Sequence, residues 1–326
     1  MKNKNHYDVI IIGGGISGLM CAKHIGSKIN IAILDKGRNF GGRMATRHFD
    51  GAVFDHGAQF FTAKSLEFQN YVNYWYQEKI IDIWFSEESN KKSKNHPRWF
   101  AKNGMNELAR YIAKNINIYR STEVSNVEFN DKYWNLKTLD GSEFSSDNII
   151  LTIPSPQIIK LLKNSNLSSI NNLDIKQNLS VDYEKGIAIL AVLDDESGIK
   201  KPGYLKEVDE NIAWIADNYL KGISPIPSLT IHSSANYAKK YFNHTSKDQA
   251  HLILNLMKKI IKSNIVNYQV HKWGYTTPII KKVNDTTLFE KYNLYFAGDS
   301  FSGPRIESAA LSGLSIAEKI LKKYQI

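Results

Sequence analysis

The chain has 326 residues, 42% hydrophobic and 23% charged, with a formal net charge of +10 from 42 basic and 32 acidic side chains. This composition suits a globular protein large enough for a sizeable core and two lobes. The single cysteine, Cys21, excludes an intramolecular disulfide, a cysteine-based zinc site and an iron–sulfur cluster, and fits a cytoplasmic location. No run of 18 apolar residues is present, so no membrane span is expected. The short apolar stretch after Met1-Lys-Asn-Lys is broken by Gly13–Gly15 and does not read as a signal peptide. The positive charge is mostly lysine scattered along the chain. That argues against nucleic acid as a partner and is compatible with an anionic small molecule.

From the N terminus, Val9–Ile12 reads as a buried parallel strand ending in Gly13-x-Gly15-x-x-Gly18. A helical pattern follows at Ile16, Leu19, Met20 and Ile25. Gly13 permits the tight turn, Gly15 admits a pyrophosphate against the backbone, and Gly18 lets helix and strand pack closely. The anion sits on the helix N-terminus. A second apolar run, Ile31–Leu34, ends in Asp35, an acid at the spacing that grips a ribose hydroxyl. Gly41-Gly42 then offers bare backbone to a ligand, and Arg43 is placed to neutralise a diphosphate. In Asp55-His56-Gly57-Ala58-Gln59-Phe60-Phe61-Thr62, bare backbone, an amide and aromatics offer the floor and wall a flat cofactor ring needs, although by composition alone the stretch reads equally as a core strand and turn.

These motifs, in this order and spacing, resemble the renalase-like branch of the flavin amine oxidase superfamily. The resemblance covers nearly the whole chain and implies non-covalent FAD. It implies Ser17 with Gly13, Gly15 and Gly18 near the pyrophosphate, Asp35 on the adenosine ribose and Arg43 on the phosphates, with Ile16, Lys36, Gly42 and Met44 also among the cofactor-binding residues. Gly57, Ala58, Gln59 and Phe60 fall beside the isoalloxazine. The family often has tyrosine where this chain has Phe60, so any hydrogen bond from that phenol is absent.

Further along, Ser65–Gln77 has helical spacing and Ile80–Phe85 reads as a strand. Ser86–His96 is polar and lysine-rich, a surface loop or hairpin tip. Met105–Ala113 is a helix, and three strands follow at Val124–Phe129, Tyr133–Leu139 and Ile149–Thr152. The resemblance implies that Val124 meets the adenine through its backbone. Strands at Ile187–Leu193, Ile212–Ile215 and Ser228–His232, with an amphipathic helix over Asp248–Ile261, predict an antiparallel sheet backed by helices. His232, Lys272 and Tyr275 end strands there, in stretches similar to the family's, and are the candidate catalytic residues; His232 reads equally as a satisfied structural histidine. The closing motif runs from Leu294 to Ala310. Its strand ends in Gly298-Asp299, and a glycine loop opens a helix with Pro304 early in the first turn. Asp299 is placed for the ribityl hydroxyls. Arg305, Ile306, Glu307 and Ala310 bring the helix N-terminus to the flavin. The family's Glu-Gly-Ala is here Glu307-Ser308-Ala309.

The expected fold is α/β, a Rossmann-type FAD-binding lobe plus an α+β substrate lobe with an antiparallel sheet. The FAD-binding domain is expected at 1–64, 98–155 and 286–326, and the substrate domain at 65–97 and 156–285. No metal site is legible. The resemblance implies an FAD-dependent oxidase that takes hydride at flavin N5 from isomeric 2- or 6-dihydro-NAD(P), with molecular oxygen as acceptor and hydrogen peroxide as product. Two alternatives stand beside it: an amine oxidase or desaturase acting on an amine or hydrophobic substrate, and a non-catalytic flavin-binding protein.

Overall fold

The N-terminal apolar run forms the strand His6–Ile12, whose last four residues are buried, in a computed structural model that describes residues 5–86, 96–165, 167, 170–280 and 286–326. This strand is flanked in parallel by Ile31–Asp35 on one side and Glu143–Leu151 on the other. Ile118–Arg120 extends the sheet beyond Ile31–Asp35. The strand Glu143–Leu151 is shared between two neighbours. Its first half pairs antiparallel with Trp134–Thr138, which pairs in turn with Val124–Phe129. Its second half pairs in parallel with Leu294–Phe296 from the far end of the chain. The result is one seven-stranded mixed sheet.

That long strand begins six residues before the expected Ile149, because its first half is polar and hides the pattern. Ser146 and Asn148 are buried and satisfied internally: Ser146 Oγ donates to the Asn148 carbonyl (2.6 Å), and Asn148 Nδ2 donates to the Asp8 carbonyl (2.9 Å). The helix Ile306–Lys323 lies against the first helix, Ile16–Ile25. A Cβ at Gly313 would fall 2.1 Å from the Ser17 carbonyl oxygen, so only glycine permits this approach. Both chain ends therefore meet on the same sheet. The C-terminal helix starts at Ile306, not at Pro304. Gly303, at φ +113°, ends a four-residue helix Asp299–Ser302, and Arg305 is extended as the N-cap.

By packing, the chain forms two compact units: residues 1–42, 109–182 and 278–326, and residues 43–108 and 183–277. The expected domain limits differ from these units: 43–64 and 98–108, expected in the FAD-binding domain, fall in the second unit, and 156–182 and 278–285, expected in the substrate domain, fall in the first. The second unit holds a five-stranded antiparallel sheet in the order Tyr204–Lys206, Ile212–Asp217, Ser228–Ser233, Gly186–Leu193, Ile265–Trp273. Strand alternation gives it two different faces. Ile187, Ile189, Ala191 and Leu193 pack under the helices Ala235–Tyr241 and Ser246–Met257. Ala188, Leu190 and Val192 pack on Ala52 and Phe54 of the hairpin Thr46–Phe49/Ala52–Asp55.

The helix expected to reach Ile261 stops at Met257, where the Ile260 N–H turns back to the Met257 carbonyl (2.9 Å). Ile81–Phe85 and Arg98–Ala101 pair as a hairpin, and residues 87–95 of the expected loop or tip Ser86–His96 lie outside the described residues. Among the described residues no helix is long and apolar enough to cross a membrane.

Candidate functional site

In the first unit, Gly13 (φ +116°) turns the chain from the first strand into the helix Ile16–Ile25. Gly15 is the N-cap and makes no side-chain cap bond, so the helix N-terminus is presented bare. No heavy atom lies within 4 Å of where a Gly15 Cβ would stand. Ile16 and Ser17 are buried in the first turn, with Gly18 next, and the Ser17 hydroxyl is buried without a hydrogen-bond partner. The Asp35 carboxylate ends the second strand and accepts the backbone N–H groups of Gly14 and Gly37. Burial raises its pKa, and those two bonds oppose the rise. Lys36 is exposed beside it, Gly42 follows at φ +54°, and Val124 opens its strand at the Thr138 register.

At the other end of the same unit, the Gly298 N–H donates to Ser312 Oγ (3.1 Å), and Asp299 is buried at the start of the short helix. Arg305 is exposed, Ile306 half-buried, and Glu307 and Ala310 are buried in the following helix. Ser308 is half-buried, with its carbonyl accepting from Ser302 Oγ (2.8 Å).

In the second unit, Arg43 donates to the Thr276 carbonyl (3.1 Å) and lies over the Tyr183 ring, and Met44 is buried. The next loop is built around the Arg43 carbonyl. The Ala58 N–H donates to it (2.9 Å), and a Cβ at Gly57 would fall 1.9 Å from it. Gln59 is buried. Its Nε2 donates to the carbonyls of Asp55 and Gly57, while its Oε1 has no partner. Phe60 faces an aromatic group of Trp84, Phe85 and Trp214, and Tyr204 stacks on Trp214 at 4.7 Å and 2°. Under this loop lies a fully buried ion pair, Lys221 Nζ to Asp55 Oδ2 at 2.8 Å.

His232 and His271 stand opposite each other across Ala188, so both occupy the sheet face that meets the hairpin. The His56 carbonyl accepts Trp273 Nε1–H (2.8 Å) and lies 3.2 Å from His232 Nε2. The His56 ring stacks on Trp273 and meets His271 edge-on at 4.4 Å. Burial lowers all three imidazoles, His56 to about 3 and His232 to about 4; nearby basic groups add to the effect, and at His232 the bond to the His56 carbonyl opposes it. Neutral His232 must carry its proton on Nε2 to donate to that carbonyl.

A family model described as flavin containing amine oxidoreductase matches residues 80–321, and one described as NAD(P)-binding Rossmann-like domain matches residues 11–75. The chain belongs to the flavin containing amine oxidoreductase family. Within this family it resembles renalase of Mus musculus, at 26% identity over 97% of this chain and 99% of the relative. Its fold matches that of putrescine oxidase bound to putrescine (TM-score 0.71, 13% identity, 97% of this chain and 99% of that one). It also matches a CLA-producing fatty acid isomerase from P. acnes (TM-score 0.68, 12% identity, 98% and 99%). The protein is a renalase-like FAD-dependent oxidoreductase.

The residues of this family member fit FAD on their own chemistry. An open glycine and an orphaned buried serine hydroxyl at a bare helix N-terminus suit a diphosphate. A buried amide oxygen without a donor in the Gly57–Phe60 loop suits the edge of a heterocycle. Of the candidate catalytic residues, His232 alone joins the histidine cluster. Lys272 pairs with Ile187, on the opposite face of the sheet, and its ammonium lies over Phe242. Tyr275 meets Tyr183 edge-on. Sequence reasoning passed over Lys221, and it quoted Asp55 and His56 without giving them work.

Proposed function

We propose that the protein oxidises a reduced nicotinamide dinucleotide, namely the 2- or 6-dihydro isomers of NAD(P), with molecular oxygen as final acceptor and hydrogen peroxide as product. The end-to-end match to renalase, 97% of one chain and 99% of the other, carries this reading. When bound, FAD supplies the hydride-accepting centre and passes the electrons on. In this reading the helix N-terminus at Gly15–Ser17 and Asp35 bind the nucleotide half, and the buried Gln59 amide is the candidate partner of the ring. Hydride donation from a dihydropyridine requires stacking within near-attack distance and no prior proton removal. Histidines held neutral agree with that. His232 orients substrate as a neutral imidazole, and no general base is assigned.

Anaerobic stopped-flow mixing with each dihydro isomer tests the reading. Rapid bleaching of the flavin by at least one isomer is expected, and no bleaching by any isomer removes the proposal. A second reading, oxidation of an amine or hydrophobic substrate, gains support from the aromatic group around Phe60, Trp84, Tyr204 and Trp214. Turnover of a panel of primary amines and polyamines without isomer oxidation would favour it.

A further inference from the structure

The proposed hydride transfer makes no use of Lys221, yet its ammonium is wholly buried in the turn before Ser228–Ser233. It donates to Asp55 Oδ2 (2.8 Å) and to the Gln59 carbonyl (2.6 Å), and it lies 4.8 Å from the Trp84 ring centroid. Each of its three N–H directions thus has an acceptor. Asp55 Oδ1 in turn accepts Thr46 Oγ1–H (2.6 Å) and the Met105 N–H (2.7 Å).

Taking an ammonium out of water is costly, and an apolar pair would fill the same space without that penalty. An apolar pair could not tie the Asp55 side chain and the Gln59 carbonyl to one nitrogen. That tie fixes the loop 55–59 at both ends. Between them Gln59 Nε2 donates to the Asp55 and Gly57 carbonyls, which sets the amide orientation and leaves Oε1 buried without a donor. A buried acceptor of this kind calls for a donor on the ligand. The oxidised isoalloxazine has one ring N–H, at N3.

We propose that Lys221 is a positioning residue: with Asp55 it holds Gln59 so that Oε1 accepts the N3–H of FAD. The proposal rests on FAD as cofactor and on the Gly57–Phe60 loop facing the ring, and not on the nicotinamide substrate. Apoprotein from wild type, Gln59→Ala and Lys221→Met is titrated with FAD and with 3-methyl-FAD, following flavin fluorescence. Wild type is expected to prefer FAD by about tenfold, the worth of one buried hydrogen bond. Gln59→Ala loses the preference. Lys221→Met loses it as well, although Gln59 is still present.

A purely structural lysine would lower thermal stability and leave the preference intact. An undiminished preference in Lys221→Met therefore overturns the proposal, and so does one in Gln59→Ala. If Lys221→Met does not accumulate as folded protein, Lys221→Arg takes its place. Its larger, planar guanidinium cannot reproduce the tetrahedral ammonium's bonds to Asp55 Oδ2 and the Gln59 carbonyl in this fully enclosed site, so the preference falls, and an unchanged preference again overturns the claim. No substrate enters these titrations, so failure of isomer oxidation and failure of this proposal remain separate results.

Discussion

Lys221 and Asp55 are 166 positions apart in the chain, and no local pattern announces their pairing. The glycines of the N-terminal fingerprint were legible because their task is local: turn, approach and packing all fall within six residues of Gly13. Removing one partner of a fully buried pair leaves the other charge uncompensated. Lys221→Met should therefore lose about 3–5 kcal/mol of stability in urea denaturation. Adding Asp55→Asn should recover part of that loss, and a double variant no better than the single one would contradict the assignment. The histidines set a second expectation. His56 and His232 titrate at about 3 and about 4 in the folded protein, below the ordinary value, so the unfolded chain takes up protons first as pH falls. Their contribution is complete above about pH 6.5 and is lost progressively as pH falls, toward about 4 for His232 and about 3 for His56, by up to about 1.4 kcal/mol per pH unit for each imidazole. Denaturation midpoints measured across that range should drop, and His232→Gln should make the drop shallower. A flat profile in both proteins would exclude the buried neutral cluster.

Elements are legible where hydrophobic period and pairing agree: the expected Val124–Phe129, Ile187–Leu193 and Ser228–His232 are found as Val124–Phe129, Gly186–Leu193 and Ser228–Ser233. They are hidden where polar residues occupy buried strand positions, as at Ser145 and Asn148, whose partners come from elsewhere in the fold. The histidine cluster was hidden for a related reason. His232 and His271 belong to different strands, and only the register across Ala188 makes them neighbours. The contact between the first and last helices gives the next prediction. A Gly313 methyl would stand 2.1 Å from the Ser17 carbonyl oxygen, and backbone does not yield as a side-chain tip would. Gly313→Ala must push the helices apart, at about 1–3 kcal/mol for overpacking. If Ser17 holds the pyrophosphate as proposed, weaker FAD retention should accompany the lower melting temperature. An alanine variant with unchanged stability and unchanged FAD affinity would show that this helix pair is loosely packed.

Over the whole chain, the +10 charge is carried by many scattered lysines and acts as a field. A field of this kind does nothing for hydride transfer, whose barrier depends on stacking within the site. It acts on encounter with an anionic substrate, and it is screened as the Debye length shrinks from about 30 Å at 0.01 M salt to about 3 Å at 1 M. A dihydronicotinamide dinucleotide carries its charge on phosphates, and the corresponding dihydronicotinamide riboside carries none. Raising the ionic strength should therefore lower kcat/KM for the dinucleotide several-fold through KM, while kcat stays level. The riboside, slower throughout for want of binding energy, should show no trend. Equal salt dependence for both would mean that the phosphates meet no positive field. The excess lysine would then be a property of the solvated surface alone, and recognition would rest on the ring.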